Sequence, residues 1–143
     1  YNVSAVLGDG TVINPDFVNS LDCVLADVPC SGYGVVKDNP DIKLHRTEEN
    51  IFELNKTQAK ILSAVKNYVK TGGYLCYSTC SVFKSENDDI IKDFLRKNPD
   101  FAVETCDSPL RHIKTAYGMQ FLPHLSLNAG FYFCKLKKTK GEQ

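Results

Sequence analysis

The stretch that most constrains this chain is Leu21 to Asp41, LDCVLADVPCSGYGVVKDNPD. Its apolar run, Cys23-Val24-Leu25-Ala26, ends abruptly in Asp27-Val28-Pro29-Cys30-Ser31-Gly32. A short apolar run bounded by turn residues is the pattern of a buried strand. Pro29 has no N–H and cannot continue a central strand, so the strand stops at Asp27 or Val28. Ser31-Gly32 and Gly34 then supply a flexible turn. A carboxylate and a thiol are thereby placed just past the carboxyl end of a core strand, where open α/β sheets bind ligands. A second thiol has a parallel setting: Tyr74-Leu75-Cys76-Tyr77 is strand-like and ends in Ser78-Thr79-Cys80-Ser81.

The flanking sequence has the periodicities of an α/β unit. Ser4 to Leu7 reads as a short strand closed by Gly8-Asp9-Gly10, and residues 11–20 read as loop or one helical turn around Asn14-Pro15-Asp16. The stretch from Val35 to Leu44 is irregular. Thr47-Glu48-Glu49 is a helix start. Leu54, Gln58, Ile61, Leu62, Val65, Tyr68 and Val69 recur at helical spacing, which predicts an amphipathic helix to about Lys70, stopped by Gly72-Gly73. After the strand at 74–79, Ser85-Glu86-Asn87-Asp88 caps a second helix striped by Ile90, Ile91, Phe94 and Leu95 and ending before Pro99. Phe101 to Glu104 is edge-like strand, 105–128 is loop-rich, and Gly130 to Leu136 is a final strand before a solvated Lys137–Lys140 tail. Strand, helix, strand, helix, strand, strand is the carboxyl half of a doubly wound, three-layer α/β sheet.

Composition narrows the chemistry. The 143 residues suffice for one domain with a single core. Apolar runs fall far short of the roughly 20 residues of a membrane span, so no membrane partner is expected. Lys+Arg and Asp+Glu are both 17, and a module that binds nucleic acid by itself carries a basic excess. The six cysteines read as thiols of a reducing, intracellular compartment, with Cys23, Cys76 and Cys134 buried inside strands. No Cys-x-x-Cys pair occurs and His45, His112 and His124 are scattered, so no metal site is expected.

With both strand-end motifs placed, the chain resembles the RNA cytosine-5 methyltransferases of the Sun (RsmB-like) family from about Leu7 to Leu136. The resemblance rests on Gly8-Asp9-Gly10, Asp27-Val28-Pro29-Cys30-Ser31-Gly32 with Gly34-Val35 and Asn39-Pro40-Asp41, Gln58, Lys70-x-Gly72-Gly73, Tyr77-Ser78-Thr79-Cys80-Ser81, Glu86-Asn87, Leu122-Pro123-His124 and Gly130-Phe131. It implies a Rossmann-like fold, S-adenosylmethionine as cofactor and rRNA or tRNA as substrate. By the same resemblance Cys80 is the nucleophile that adds to cytosine, and Cys30 assists release of the methylated base. Asp27 holds the base edge and, with Pro29 and Asp9, lies along the cofactor, Asp9 at its adenine. Read from the residues alone, Asp9 is equally a plain Asp-Gly turn, a turn-capping carboxylate is the lesser alternative for Asp27, and Tyr33 is equally a ring for stacking on a flipped base or an exposed loop aromatic.

The Gly-rich turn that would bind the cofactor's methionine end and the acid for its ribose are not found in this sequence, and Ala129 stands where the family tends to have an acid. The expectation is therefore a partial catalytic domain, residues 1–143, with little cofactor binding by itself. Its strand at 22–27 would have an unpaired apolar edge, which predicts a homodimer, a swapped assembly, or residues 1–20 packed against that edge. Other classes that the residues allow are a non-catalytic RNA-associated scaffold and, more distantly, a cysteine hydrolase, which needs a His beside a thiol.

Overall fold

The computed structural model describes residues 2–139. Strand β1 (Leu21–Asp27) leads through a short helix α1 (Ile42–His45) into the long helix α2 (Glu48–Val65) and back to β2 (Val69–Thr79). Helix α3 (Asp88–Lys97) follows, then the short strands β3 (Phe101–Val103), β4 (Ile113–Lys114) and β5 (Met119–Phe121), the single turn α4 (Pro123–Ser126) and β6 (Phe131–Lys138). The sheet order is β1-β2-β6-β5-β4, with β3 also paired to β6. β1 and β2 are parallel, as a strand–helix–strand crossover requires, whereas β6 runs antiparallel to β2 and inserts beside it.

Alternation fixes the faces. Leu25 pairs with Cys76, Ala26 with Tyr77 and Asp27 with Ser78. Ala26, Leu75, Tyr77, Tyr132, Cys134 and Leu136 point to one side and are sealed by Leu62 and Val65 of α2 and Ile91 and Phe94 of α3. Both long helices thus cover one face. Cys23, Leu25 and Asp27 point to the other, where Leu25 is 63% exposed. Cys23, expected to be buried, is exposed for the same reason, while Cys76 and Cys134 are buried. Among the described residues the outer edge of β1 carries no paired strand.

Several boundaries differ from the sequence reading. Ser4 to Leu7 forms no strand: Val6 and Leu7 are exposed and the segment has no sheet partner. α2 stops at Val65, not near Lys70. Asn67 turns its amide onto the carbonyls of Ser63 and Ala64, and the Tyr68 hydroxyl is tied to the Val12–Asn14 backbone. The chain is then free to enter β2 at Val69, and Gly72-Gly73 lie inside that strand. Gly72 takes a φ of 84°, and the pairing slips between Leu21 and Cys23 to absorb the extra residues. The N-cap position of α3 is Asn87, whose side chain is used elsewhere, so the expected Ser85 cap is not made. Lys137 and Lys138 belong to β6, with Lys138 donating to the Val69 carbonyl at 2.9 Å. Of the expected tail, Lys140 lies outside the described residues.

Candidate active site

The carboxyl ends of β1 and β2 carry their loops to the same place. Asp27 and Ser78 are register partners, and the Val28 N–H still donates to the Ser78 carbonyl at 3.2 Å beyond the last ladder pair. Pro29 then ends the ladder on one strand, and Thr79 ends it on the other. The Ser78 hydroxyl donates to Asp27 Oδ1 at 2.7 Å, which orients a carboxylate that is otherwise open to solvent.

One turn further, the two thiols meet. Cys30 and Cys80 are close enough for each thiol to shift the other's ionisation. The interaction with the Cys30 thiol, outweighing burial, lowers Cys80 to about 7 although Asp27 and Glu86 both push it up. Cys30 is raised far above the ordinary thiol range, first by the same interaction and then by burial. Of the pair, half-buried Cys80 is therefore the more readily ionised thiol, and buried Cys30 the one that keeps its proton. A thiolate is the reactive form of cysteine, so Cys80 is the more reactive thiol of the pair.

Close backbone contacts lock this arrangement. The Gly34 N–H donates to the Cys80 carbonyl at 2.9 Å, and the Gly130 N–H donates to the Gly34 carbonyl at 2.7 Å. A Cβ on Gly34 would lie 2.0 Å from the Gly130 oxygen and 2.7 Å from the Cys80 oxygen. Three segments, the turn after Cys30, the turn after Cys80 and the approach to β6, thus touch without side chains between them. Tyr33 packs on Phe83 with ring centroids 4.7 Å apart, so it is part of this wall rather than a free loop aromatic.

A second layer lies below. Glu86 is 0% exposed, and its carboxylate accepts from the Ser31 N–H at 2.8 Å, the Ser31 hydroxyl at 2.6 Å, Gln58 Nε2 at 3.1 Å and the Ser81 hydroxyl. Asn87 joins Thr79, the Ser81 carbonyl and Gln120. In the sequence, Gln58 belongs to a helix stripe and Glu86 to a helix cap, and both are among the residues that carry the family resemblance. The usable signal was a polar Gln on an otherwise apolar stripe, since a buried polar group needs partners.

The structure thus brings together Asp27, Pro29, Cys30 and Cys80. It leaves Asp9 apart: its carboxylate accepts from the Thr11 N–H at 2.8 Å and the Thr11 hydroxyl at 2.7 Å, and those bonds hold it below the usual carboxylate range. Asp9 shares a cavity of about 350 Å³ with Phe17 and Tyr68, which border the amino ends of β1 and β2. None of His45, His112 and His124 hydrogen-bonds a thiol among the described residues; His112 bonds the Leu110 carbonyl and stacks on Phe121. The described residues contain no cluster of three or more His, Cys, Asp or Glu able to hold a metal, and no helix long and apolar enough to cross a membrane.

Residues 1–137 match the family model of the 16S rRNA methyltransferase RsmB/F. The chain belongs to the RsmB/F family. Ribosomal RNA small subunit methyltransferase B of Salmonella dublin is 44% identical over 117 residues, covering 82% of the chain and 26% of that protein. The chain therefore spans about a quarter of the length of the curated relatives it matches. Among solved structures, PH0851 superposes with a TM-score of 0.80 at 34% identity, over 85% of this chain and 27% of the other. NSun6 from Pyrococcus horikoshii, solved with the S-adenosylmethionine analogue SFG, gives a TM-score of 0.70 at 30% identity, over 81% and 29%. A methyltransferase homologue from the same organism gives 0.68 at 25% identity, over 82% and 39%. The sheet and its structural neighbours are those of a Rossmann-like methyltransferase.

Asp27 and Pro29 are exposed beside the thiols, and Asp27 keeps Oδ2 clear of side-chain donors among the described residues. Asp9, bonded to its own turn, is not gathered with them.

Proposed function

We propose that this chain carries the reacting groups of an S-adenosylmethionine-dependent RNA methyltransferase acting at carbon 5 of cytosine in rRNA or tRNA. The observation that supports this reading most directly is the convergence of the two strand-end cysteines beside the exposed Asp27 carboxylate, with Cys80 lowered to about 7. Carbon 5 of cytosine is a weak nucleophile. Attack of the Cys80 thiolate on carbon 6 pushes the ring electrons toward carbon 5 and makes it enamine-like, which is covalent catalysis. Asp27 holds the amino and ring-nitrogen edge of the base as charge develops there. S-adenosylmethionine, bound with Asp27 and Pro29 beside it, supplies an electrophilic methyl group. Once Cys80 is a thioether it carries no charge, so the interaction that held the Cys30 proton is gone. Cys30 can then release its proton to solvent and, as a thiolate, take the carbon-5 proton, while the Cys80–carbon 6 bond breaks, the double bond re-forms and Cys80 leaves as a thiolate.

The test is trapping. RNA containing 5-azacytosine has no proton at ring position 5 to lose, so the adduct should persist on the intact protein containing residues 1–143 and resist denaturing electrophoresis. Cys80→Ser should abolish it. Adduct formation by Cys80→Ser to the wild-type extent would refute the assignment of the nucleophile. The cofactor's ribose and methionine ends, on this reading, are held by segments other than residues 1–143. For the chain alone we propose that a second copy covers the free edge of β1.

A further inference from the structure

Glu86 is fully buried, yet no basic side chain forms an ion pair with it among the described residues. Burying an ionised carboxylate without a counter-charge is expensive unless hydrogen bonds replace its water. Here every partner is a donor. The Ser31 N–H and hydroxyl come from the residue after Cys30, and the Ser81 hydroxyl comes from the residue after Cys80. Gln58 Nε2 from α2 donates both to Glu86 and to the carbonyl of Pro29, the residue before Cys30, at 3.0 Å. Ser81 Oγ in turn accepts from the Phe83 N–H, which leaves its own hydrogen for the carboxylate. The Glu86 carbonyl is itself fixed by the Tyr77 hydroxyl at 2.6 Å, so the turn carrying Glu86 is anchored to the core of β2.

The structure assigns Glu86 as the positioning residue of the thiol pair: one buried carboxylate ties the residue that follows each cysteine, and so sets the Cys30 sulfur against the Cys80 sulfur. This deepens the proposed reaction and rests on it for its meaning in catalysis. A carboxylate is the side chain the geometry demands, because it offers acceptors on both oxygens. Gln at this place would aim an N–H₂ group at donors on one side, leaving Ser31 or Ser81 unpaired and the two loops free to part. Gln58 is the second member of the device, holding the loop from the side of α2.

Charge and geometry act on Cys80 in opposite directions, which makes the inference testable. The negative charge of Glu86 raises the pKa of Cys80, so losing that charge alone would lower that pKa. Losing the alignment with Cys30 would raise it, because the interaction with the Cys30 thiol is the largest influence on Cys80. The experiment is the pH dependence of iodoacetamide labelling at Cys80, located by peptide mass spectrometry in the intact protein. Glu86→Gln should move the inflection upward by about one pH unit and slow labelling at pH 7 several-fold. Ser31→Ala, which keeps the backbone N–H bond, should move it upward by less and serves where Glu86→Gln does not fold. An unmoved or lowered inflection in a folded variant overturns the positioning role, whatever the effect on melting temperature. Labelling needs no RNA: an upward shift in a protein whose wild type traps no 5-azacytosine adduct upholds the positioning and sinks the methyltransferase reading, and trapping without a shift does the reverse.

Discussion

Gly34→Ala probes the contact on which the whole site is hung. The added Cβ would sit 2.0 Å from the Gly130 oxygen, 2.6 Å from the Gly130 carbon and 2.7 Å from the Cys80 oxygen. All three are backbone atoms, so no side chain can swing aside. Overpacking of this kind costs about 1–3 kcal/mol. The displacement also breaks the Gly34–Cys80 and Gly130–Gly34 hydrogen bonds, worth about 1 kcal/mol each. The sum, about 3–5 kcal/mol, is a large share of the roughly 5–15 kcal/mol that holds a domain together. At roughly 3 °C per kcal/mol, the melting temperature should fall by about 9–15 °C. Gly8→Ala is the control, since nothing lies within 4 Å of a Cβ there. Calorimetry of the two variants beside wild type decides it. A Gly34→Ala protein melting within about 2 °C of Gly8→Ala would mean that the three segments do not meet as described.

Two further outcomes concern the thiols and the sheet edge. Cys30→Ala removes the thiol that lowers Cys80, so the labelling inflection of Cys80 should rise from about 7 toward the ordinary thiol value of about 8.5, with labelling at pH 7 slowed about tenfold; an inflection that stays put would show that Cys30 does not activate Cys80. Leu25, 63% exposed beside the free edge of β1, should promote self-association of the 143-residue chain, and Leu25→Lys should shift sedimentation toward monomer, whereas a wild-type chain that stays monomeric across a concentration series rules the edge out.

The parts legible in the sequence were those written in local chemistry. Pro29 marked the end of β1, Thr47 with its acids marked the start of α2, and the Ile90–Leu95 stripe marked α3. The pairing of two strand-end cysteines was legible because each follows an apolar run of the same kind. What stayed hidden depended on partners distant in sequence. Nothing local says that β6 enters the sheet antiparallel between β2 and β5, or that Gly130 thereby arrives against Gly34. The end of α2 was misplaced because Tyr68 and Val69 keep the helical period, while the Tyr68 hydroxyl answers to a loop more than fifty residues earlier. Glu86 looked like a helix cap because acids are common in a first turn; only the fold reveals that Ser31, Gln58 and Ser81 surround it.

How Cys80 is activated has a chemical consequence. Reactive cysteines are commonly lowered by a cation, a His, Lys or Arg at the sulfur. The influences on Cys80 include no cation: Asp27 and Glu86 oppose ionisation, and the Cys30 thiol with Cys80's own backbone favours it. A cation would stay charged through every step of the reaction. A thiol does not have to, because its proton is held by the very charge it stabilises. Formation of the carbon–sulfur bond at Cys80 removes that charge, so what keeps Cys30 protonated is then only its burial. On the proposed reaction this hands the carbon-5 proton a base that did not exist before the adduct formed. The same proton thereby prepares the nucleophile first and, once it has left Cys30, lets that sulfur clear the product. Two carboxylates next to the pair make this stricter, since without the Cys30 thiol they would leave Cys80 protonated at neutral pH.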